Sequence, residues 1–160
     1  MIGLVVTALC HHLGLMINIS QSMQMGFYIK TRGAIHRGDI VALCLPNKYK
    51  KIGIGHNYIP KGDKCAGAAP LIKEVIAIPL DTVELKDDKI VVNGIRYFYA
   101  TVTQNSKGQP LDSYPRGVYV KNGYWLIGTH AKNSWDSRYW GPLPRTYILY
   151  KLKPFLIWGK

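Results

Sequence analysis

Ser20-Gln21-Ser22-Met23 follows directly on an uncharged apolar segment, and two later stretches hold groups that could complete its chemistry. One is Lys73, set inside the apolar run Leu71-Ile72-Lys73-Glu74-Val75-Ile76-Ala77. The other is the block from Ser134 to Pro142, SWDSRYWGP, which carries Asp136 and Arg138. A serine hydroxyl is a poor nucleophile until a neighbouring base takes its proton. A lysine amine can be that base only when its pKa is pulled far below the solution value. Ser22 as nucleophile and Lys73 as base would carry out acyl transfer without a metal or cofactor. The backbone N–H of Ser22, aided by the Ser20 hydroxyl, is a candidate oxyanion hole.

Each piece also has a plainer reading. Alternation places Lys73 on the strand face of Leu71, Val75 and Ala77. Full burial there would lower its pKa, but a strand lysine commonly packs its stem and sends its head to water. A serine between a helix end and an extended segment is commonly a turn or cap residue. Ser134, Asp136 and Arg138 alternate, so they could share one face as a polar network or form a solvated surface pair worth little.

The elements that would position these groups are mostly strands. The sequence predicts strands at 38–43, 71–78, 82–85, 89–92 and 95–98, the last two joined by Asn93-Gly94 in a meander with a strong hairpin signal. A second hairpin is expected around Asn122-Gly123, joining 118–121 to 124–127. Residues 104–116 read as a loop and 146–158 as a last strand. Residues 71–78 are apolar on both faces and therefore central. No helical pattern of length is evident after residue 20. The expected architecture is mainly β, an antiparallel domain with one short N-terminal membrane helix.

Ile2 to Ile19 precedes the first charged residue, Lys30, and is long enough to cross most of a bilayer. It is expected to be an anchor over residues 1–19, which could begin upstream of Met1, with a β-rich domain over 20–160. A buried core helix is the alternative. Tyr28, Trp135 and Trp140 are candidates for the membrane interface, with core packing as the other reading.

The chain has 160 residues and a net charge of +12. The basic residues are dispersed, and there is no RNA-recognition signature or basic helix, so nucleic acid is not an expected partner. Anionic lipid headgroups account for the charge equally well. His56 stands alone and no C-x-x-C occurs, so no metal site is expected. Cys10 reads as a small hydrophobe. Cys44 and Cys65 flank a turn-rich basic stretch. They would pair in an oxidising compartment and would be two unrelated buried thiols in a reducing one.

The ordered set of motifs resembles the type I signal peptidases. Ser20-Gln21-Ser22-Met23 with Gly26 and Tyr28, then Arg37-Gly38-Asp39-Ile40-Val41, is similar to their nucleophile region. Residues 71–77 resemble their lysine-bearing strand, and residues 134–142 their C-terminal signature. Within the family the chain is most similar to the compact conjugative-transfer enzymes, through Cys44-x-Pro46, Tyr58-Ile59-Pro60-Lys61-Gly62-x-x-Cys65 and Lys73. Gln24 replaces the proline usual after Ser-Met, and Leu80 the glycine expected before Asp81.

The resemblance implies Ser22 as nucleophile, Lys73 as general base, Ser20 as oxyanion donor, Ser134 orienting the amine, and Asp136 and Arg138 bracing the site. It implies a bacterial inner-membrane enzyme with a periplasmic catalytic domain. Its substrate would be a conjugative pilin precursor or another leader-bearing membrane protein, cut after a small residue. The acyl-enzyme could also pass to the pilin's own amine and close a ring, with Asp136 either holding that amine or simply pairing with Arg138. The rivals are a general type I signal peptidase and a non-enzymatic basic module binding DNA or lipid.

Overall fold

A computed structural model of the chain describes residues 14–97, 99, 101–105 and 107–158. Its framework is a six-stranded antiparallel sheet in the order β1 (Leu15–Asn18), β2 (Gly26–Thr31), β12 (Ile148–Ile157), β3 (Ile40–Leu43), β6 (Leu71–Ala77) and β11 (Trp125–Ile127). A four-stranded antiparallel sheet has the order β10 (Gly117–Val120), β7 (Thr82–Leu85), β8 (Ile90–Val92) and β9 (Ile95–Tyr97). Between β3 and β6 lie helix α1 (Asn47–Gly55) and a small ribbon of β4 (Lys61–Gly62) and β5 (Gly67–Ala68). Helix α2 (Ser137–Trp140) and a 3₁₀ turn (Arg145–Tyr147) precede β12.

The β-branched and apolar runs form strands where alternation predicts them. β6 is flanked by β3 and β11 and is buried at Ile72, Lys73, Val75, Ile76 and Ala77. The meander β7–β8–β9 forms as expected, and its Asn93-Gly94 turn uses two positive φ angles, +49° and +84°. Both residues of that dipeptide tolerate the left-handed region. The strand expected at 146–158 becomes β12, which sits centrally between β2 and β3.

Four expectations are corrected. Residues 15–18, the end of the expected membrane helix, form β1, whose Leu15, Met16, Ile17 and Asn18 pair with Ile29, Tyr28, Phe27 and Gly26. Their backbone groups are therefore spent on β2 rather than on a helix, and residues 1–13 lie outside the described residues. Among the described residues no helix is long and apolar enough to cross a membrane. The Asn122-Gly123 segment does not make a hairpin: β10 pairs with β7 and β11 with β6, in different sheets. Here Tyr124 bridges to Leu143, and a Cβ on Gly123 would stand 3.1 Å from Pro142, so the chain turns toward that segment instead of folding back.

Helix α1 was hidden by its composition, with Gly53 and Gly55 in its last turn and three lysines, Lys48, Lys50 and Lys51, in its first half. Finally, Tyr28, Trp135 and Trp140 are core residues, at most 7% exposed. The exposed apolar side chains of the large sheet are instead Ile17, Ile19, Phe155, Leu156 and Trp158.

Candidate active site

Asn18 shapes the loop that carries Ser22. Buried at the end of β1, its Nδ2 donates to the carbonyls of Ser20, Met23 and Gln24 at 3.0, 3.1 and 2.9 Å. Its Oδ1 accepts from the Ser20 N–H at 3.0 Å. An asparagine bonding the backbone just ahead of it is an Asx turn, a signal that could have been read from the sequence. The Met23 side chain is buried beneath the loop, and the His130 N–H donates to the Ser22 carbonyl at 3.1 Å. Gln24 contributes its carbonyl, which accepts from Asn18 and Tyr28, while its side chain is exposed. Losing the family's proline here therefore removes no contact.

Lys73 stands at the middle of β6, opposite Val41 of β3, and is only 2% exposed. Its Nζ lies 2.8 Å from Ser22 Oγ. Burial pulls its pKa down to about 8; the Asp136 carboxylate opposes this and the Arg138 guanidinium adds to it. An amine with that pKa is substantially neutral at mildly alkaline pH, and a neutral amine accepts a proton where an ammonium only donates one.

Ser20 Oγ is 3.0 Å from Ser22 Oγ and accepts from the Ser22 N–H at 3.3 Å. The hydroxyl and the N–H assigned to the oxyanion therefore sit on the same side of the nucleophile, joined by a long bond that a stronger acceptor can displace.

Asp136 and Arg138 are buried, at 0% and 1% exposure. Arg138 Nε and Nη2 each reach the Asp136 carboxylate at 2.8 Å, and the backbone N–H groups of Arg138 and Gly128 donate to it at 3.2 and 3.1 Å. Arg138 also donates to the carbonyls of Lys132 and Ser134. The expected strand alternation over 134–138 is replaced by a helical turn: Asp136 caps α2, and Arg138 lies inside it. Because α2 is only four residues long, its side chains spend their hydrogen bonds on the flanking loop and on the end of β11. Both oxygens of Asp136 are thus engaged, each by two donors.

Ser134 Oγ is buried without a hydrogen-bond partner among the described residues, and it lines the same cavity as Ser22 and Lys73. Gly128 is the residue that sequence reasoning missed here. A Cβ on it would stand 2.1 Å from Ser134 Oγ and 2.9 Å from the Ser22 carbonyl, so only glycine fits between the two loops. Nothing in Ile127-Gly128-Thr129 distinguishes it from a turn glycine.

The cavity has a volume of about 440 Å³. Its walls come from the Ser20–Ser22 loop, from Leu71 and Lys73 of β6, from His56, Asn57 and Tyr58 after α1, and from residues 102–111 and 131–139. Helix α1 is fixed in place by a disulfide between Cys44 and Cys65, whose Cα atoms are 5.4 Å apart. Lys50 adds bonds to the carbonyls of Cys65 and Ala66, and Gly53 packs against Ile59 and Trp135. Among the described residues no cluster of His, Cys, Asp and Glu could hold a metal.

The cleft of this antiparallel β domain thus sets a buried lysine beside a serine. The family described as signal peptidase, peptidase S26, matches residues 3–157, and the chain belongs to it. It is 33% identical over 146 residues to the conjugal transfer protein TraF of Agrobacterium fabrum (strain C58), covering 88% of this chain and 81% of that one. A plasmid transfer protein TraF of Escherichia coli is 27% identical over 153 residues, covering 91% and 84%. Signal peptidase I P of Bacillus subtilis subsp. natto is 28% identical over 125 residues, covering 74% and 57%.

Proposed function

We propose that the protein is a Ser-Lys signal peptidase in which neutral Lys73 takes the Ser22 proton as Oγ attacks the scissile carbonyl. The observation that carries this is the 2.8 Å contact between Ser22 Oγ and an amine that is 2% exposed. The tetrahedral oxyanion takes the Ser22 N–H and the Ser20 hydroxyl. Protonated Lys73 then gives its proton to the leaving amine, and the acyl group remains on Ser22. Water, deprotonated by Lys73, releases it in the second half. Ser134 Oγ borders the same cavity as the lysine amine, and the Asp136–Arg138 pair fixes the loop bearing Ser134.

The substrate is a leader-bearing membrane protein cut after a small residue. The long alignments with conjugal and plasmid transfer proteins favour a conjugative pilin precursor. Ring closure needs a second cut, near the C-terminus of a pilin already freed of its leader: the C-terminal fragment leaves, the pilin is the acyl group on Ser22, and its own N-terminal amine replaces water.

The catalytic domain lies against the outer face of the inner membrane. Ile17 on β1 and Leu156 on β12 both pair with Phe27 of β2, and Phe27 packs on Trp158. This exposed apolar row includes Ile17, on the strand that leads into the Ser22 loop, so one surface would bring row and site to the lipid.

The experiment is incubation of wild type and Ser22→Ala with a conjugative pilin precursor, read by intact mass. Cleavage by wild type alone supports the reading, and equal products from both refute it. A product about 18 Da below the linear form, one water, marks ring closure. Recovery of the protein wholly in the soluble fraction after carbonate extraction would refute the membrane placement.

A further inference from the structure

A second cavity of about 360 Å³ adjoins the first. The two share His56, Leu111, Trp135 and Tyr139, so one layer of side chains divides them. Its far walls are Tyr49 and Ile52 of α1 on one side and Tyr114 and Pro115 on the other. At the partition, His56 Nδ1 and Gln109 Oε1 are 3.2 Å apart, and Gln109 Oε1 also accepts from Asn105 at 2.8 Å. The α1 wall is pinned by the Cys44–Cys65 disulfide and by the Lys50 bonds, so the concavity is held open by the fold.

We propose that this cavity is a distal substrate subsite that takes a bulky apolar or aromatic side chain some residues away from the scissile bond. The proposal rests on the peptidase reading above. Its occupant is the polypeptide already seated in the first cavity, because the two cavities lie on either side of a shared wall and an extended chain, advancing about 3.3 Å per residue, reaches past it within a few residues. The walls are concave and carry four aromatic side chains, Tyr49, Tyr114, Trp135 and Tyr139, with Lys48 and Asp112 as the charges in the lining. Such a site favours apolar bulk and disfavours a charged side chain. Residues at the scissile bond then determine where the chain is cut, while this subsite determines which small-residue sites are used.

The test uses full-length enzyme and two kinds of synthetic peptide. A short one spans only a scissile bond after alanine; long ones share that core and carry a single Trp at successive positions in otherwise Ala/Ser flanks. Wild type should show about a tenfold gain in kcat/KM for Trp at one or two adjacent positions. Ile52→Trp, which fills the cavity, should lose that gain, and Tyr49→Ala should reduce it. All three enzymes should turn over the short peptide equally, which also certifies their folding. No Trp-dependent gain in wild type, or an undiminished gain in Ile52→Trp, overturns the subsite while leaving the peptidase intact. Failure of wild type to exceed Ser22→Ala on either kind of peptide overturns the peptidase reading and the subsite with it.

Discussion

Lys73 and Ser22 lie 51 positions apart in sequence, yet their functional atoms are 2.8 Å apart, in contact across the end of the large sheet. Two features make this possible. Lys73 sits on a central strand with only 2% of its surface exposed, and Asn18 shapes the loop that brings Ser22 to it. The predictions below follow from the cost and the consequences of that contact.

Gly128→Ala should be felt at the site although residue 128 has no reactive group. The added Cβ must displace either Ser134 Oγ, 2.1 Å away, or the Ser22 carbonyl, 2.9 Å away. Displacement of this size is expected to cost about a hundredfold in kcat/KM. Peptide turnover by the purified variant, with circular dichroism to establish that it folds, makes the check.

Lys73 should cost stability. Its pKa is about 8 in the folded protein against 10.5 for the free side chain. Between those values the unfolded chain binds the proton that the folded protein has released, so stability rises with pH across that window. At pH 7 the folded protein holds a buried ammonium. Lys73→Met should therefore be inactive and more stable at neutral pH, by on the order of 1–3 kcal/mol. The gap should shrink as pH rises from about 8 toward 10.5. Urea unfolding of both proteins across that range measures it.

Asp81 joins three elements: it accepts from Arg37 ahead of β3, from the Ile78 N–H after β6 and from Asn93 in the β8–β9 turn. The Arg37 bond is the largest reason its pKa falls to about 2. A lowered carboxylate pKa contributes stability above about pH 4 that is lost as pH falls through about 2. Asp81→Asn should cost about 2 kcal/mol at neutral pH and progressively less in acid, as seen in pH-dependent thermal melts. The neighbouring Leu80 adopts φ +72°, a conformation that suits glycine. Leu80→Gly should gain about 1 kcal/mol.

The disulfide should matter to the cavity wall as well as to stability. Closing a loop with a separation of 21 residues is worth about 3 kcal/mol in the chain-entropy model. Cys44 and Cys65 should resist thiol labelling in unreduced protein from its own compartment. Reduction should lower turnover of long peptides more than of short ones, because α1 loses its clip. Free labelling of both thiols in the native protein would contradict this.

Much of the site was legible in the sequence. Ser22, Lys73 and the 134–138 block could be nominated because a nucleophile, an apolar-embedded amine and a polar cluster each leave a local trace. The strands were readable wherever β-branched and apolar residues run together, as at 71–77. What stayed hidden depends on partners distant in the chain. Residues 15–18 are as apolar as a membrane segment, and only their pairing with β2 makes them a strand. β10 and β11 flank a strong turn dipeptide, yet tertiary contacts at Tyr124 and Leu143 send them to different sheets. Gly128 looks like any turn glycine until Ser134 and Ser22 close on it.

The most direct test of the central claim is the pH dependence of kcat/KM on a short cleavable peptide, measured for wild type and Lys73→Arg. If neutral Lys73 is the base, the wild-type value climbs through a single midpoint near 8 and levels off above it. Lys73→Arg should stay at background throughout, because a guanidinium remains protonated. A wild-type profile flat from about pH 6 to 9, or Lys73→Arg turning over at the wild-type rate, would contradict the account.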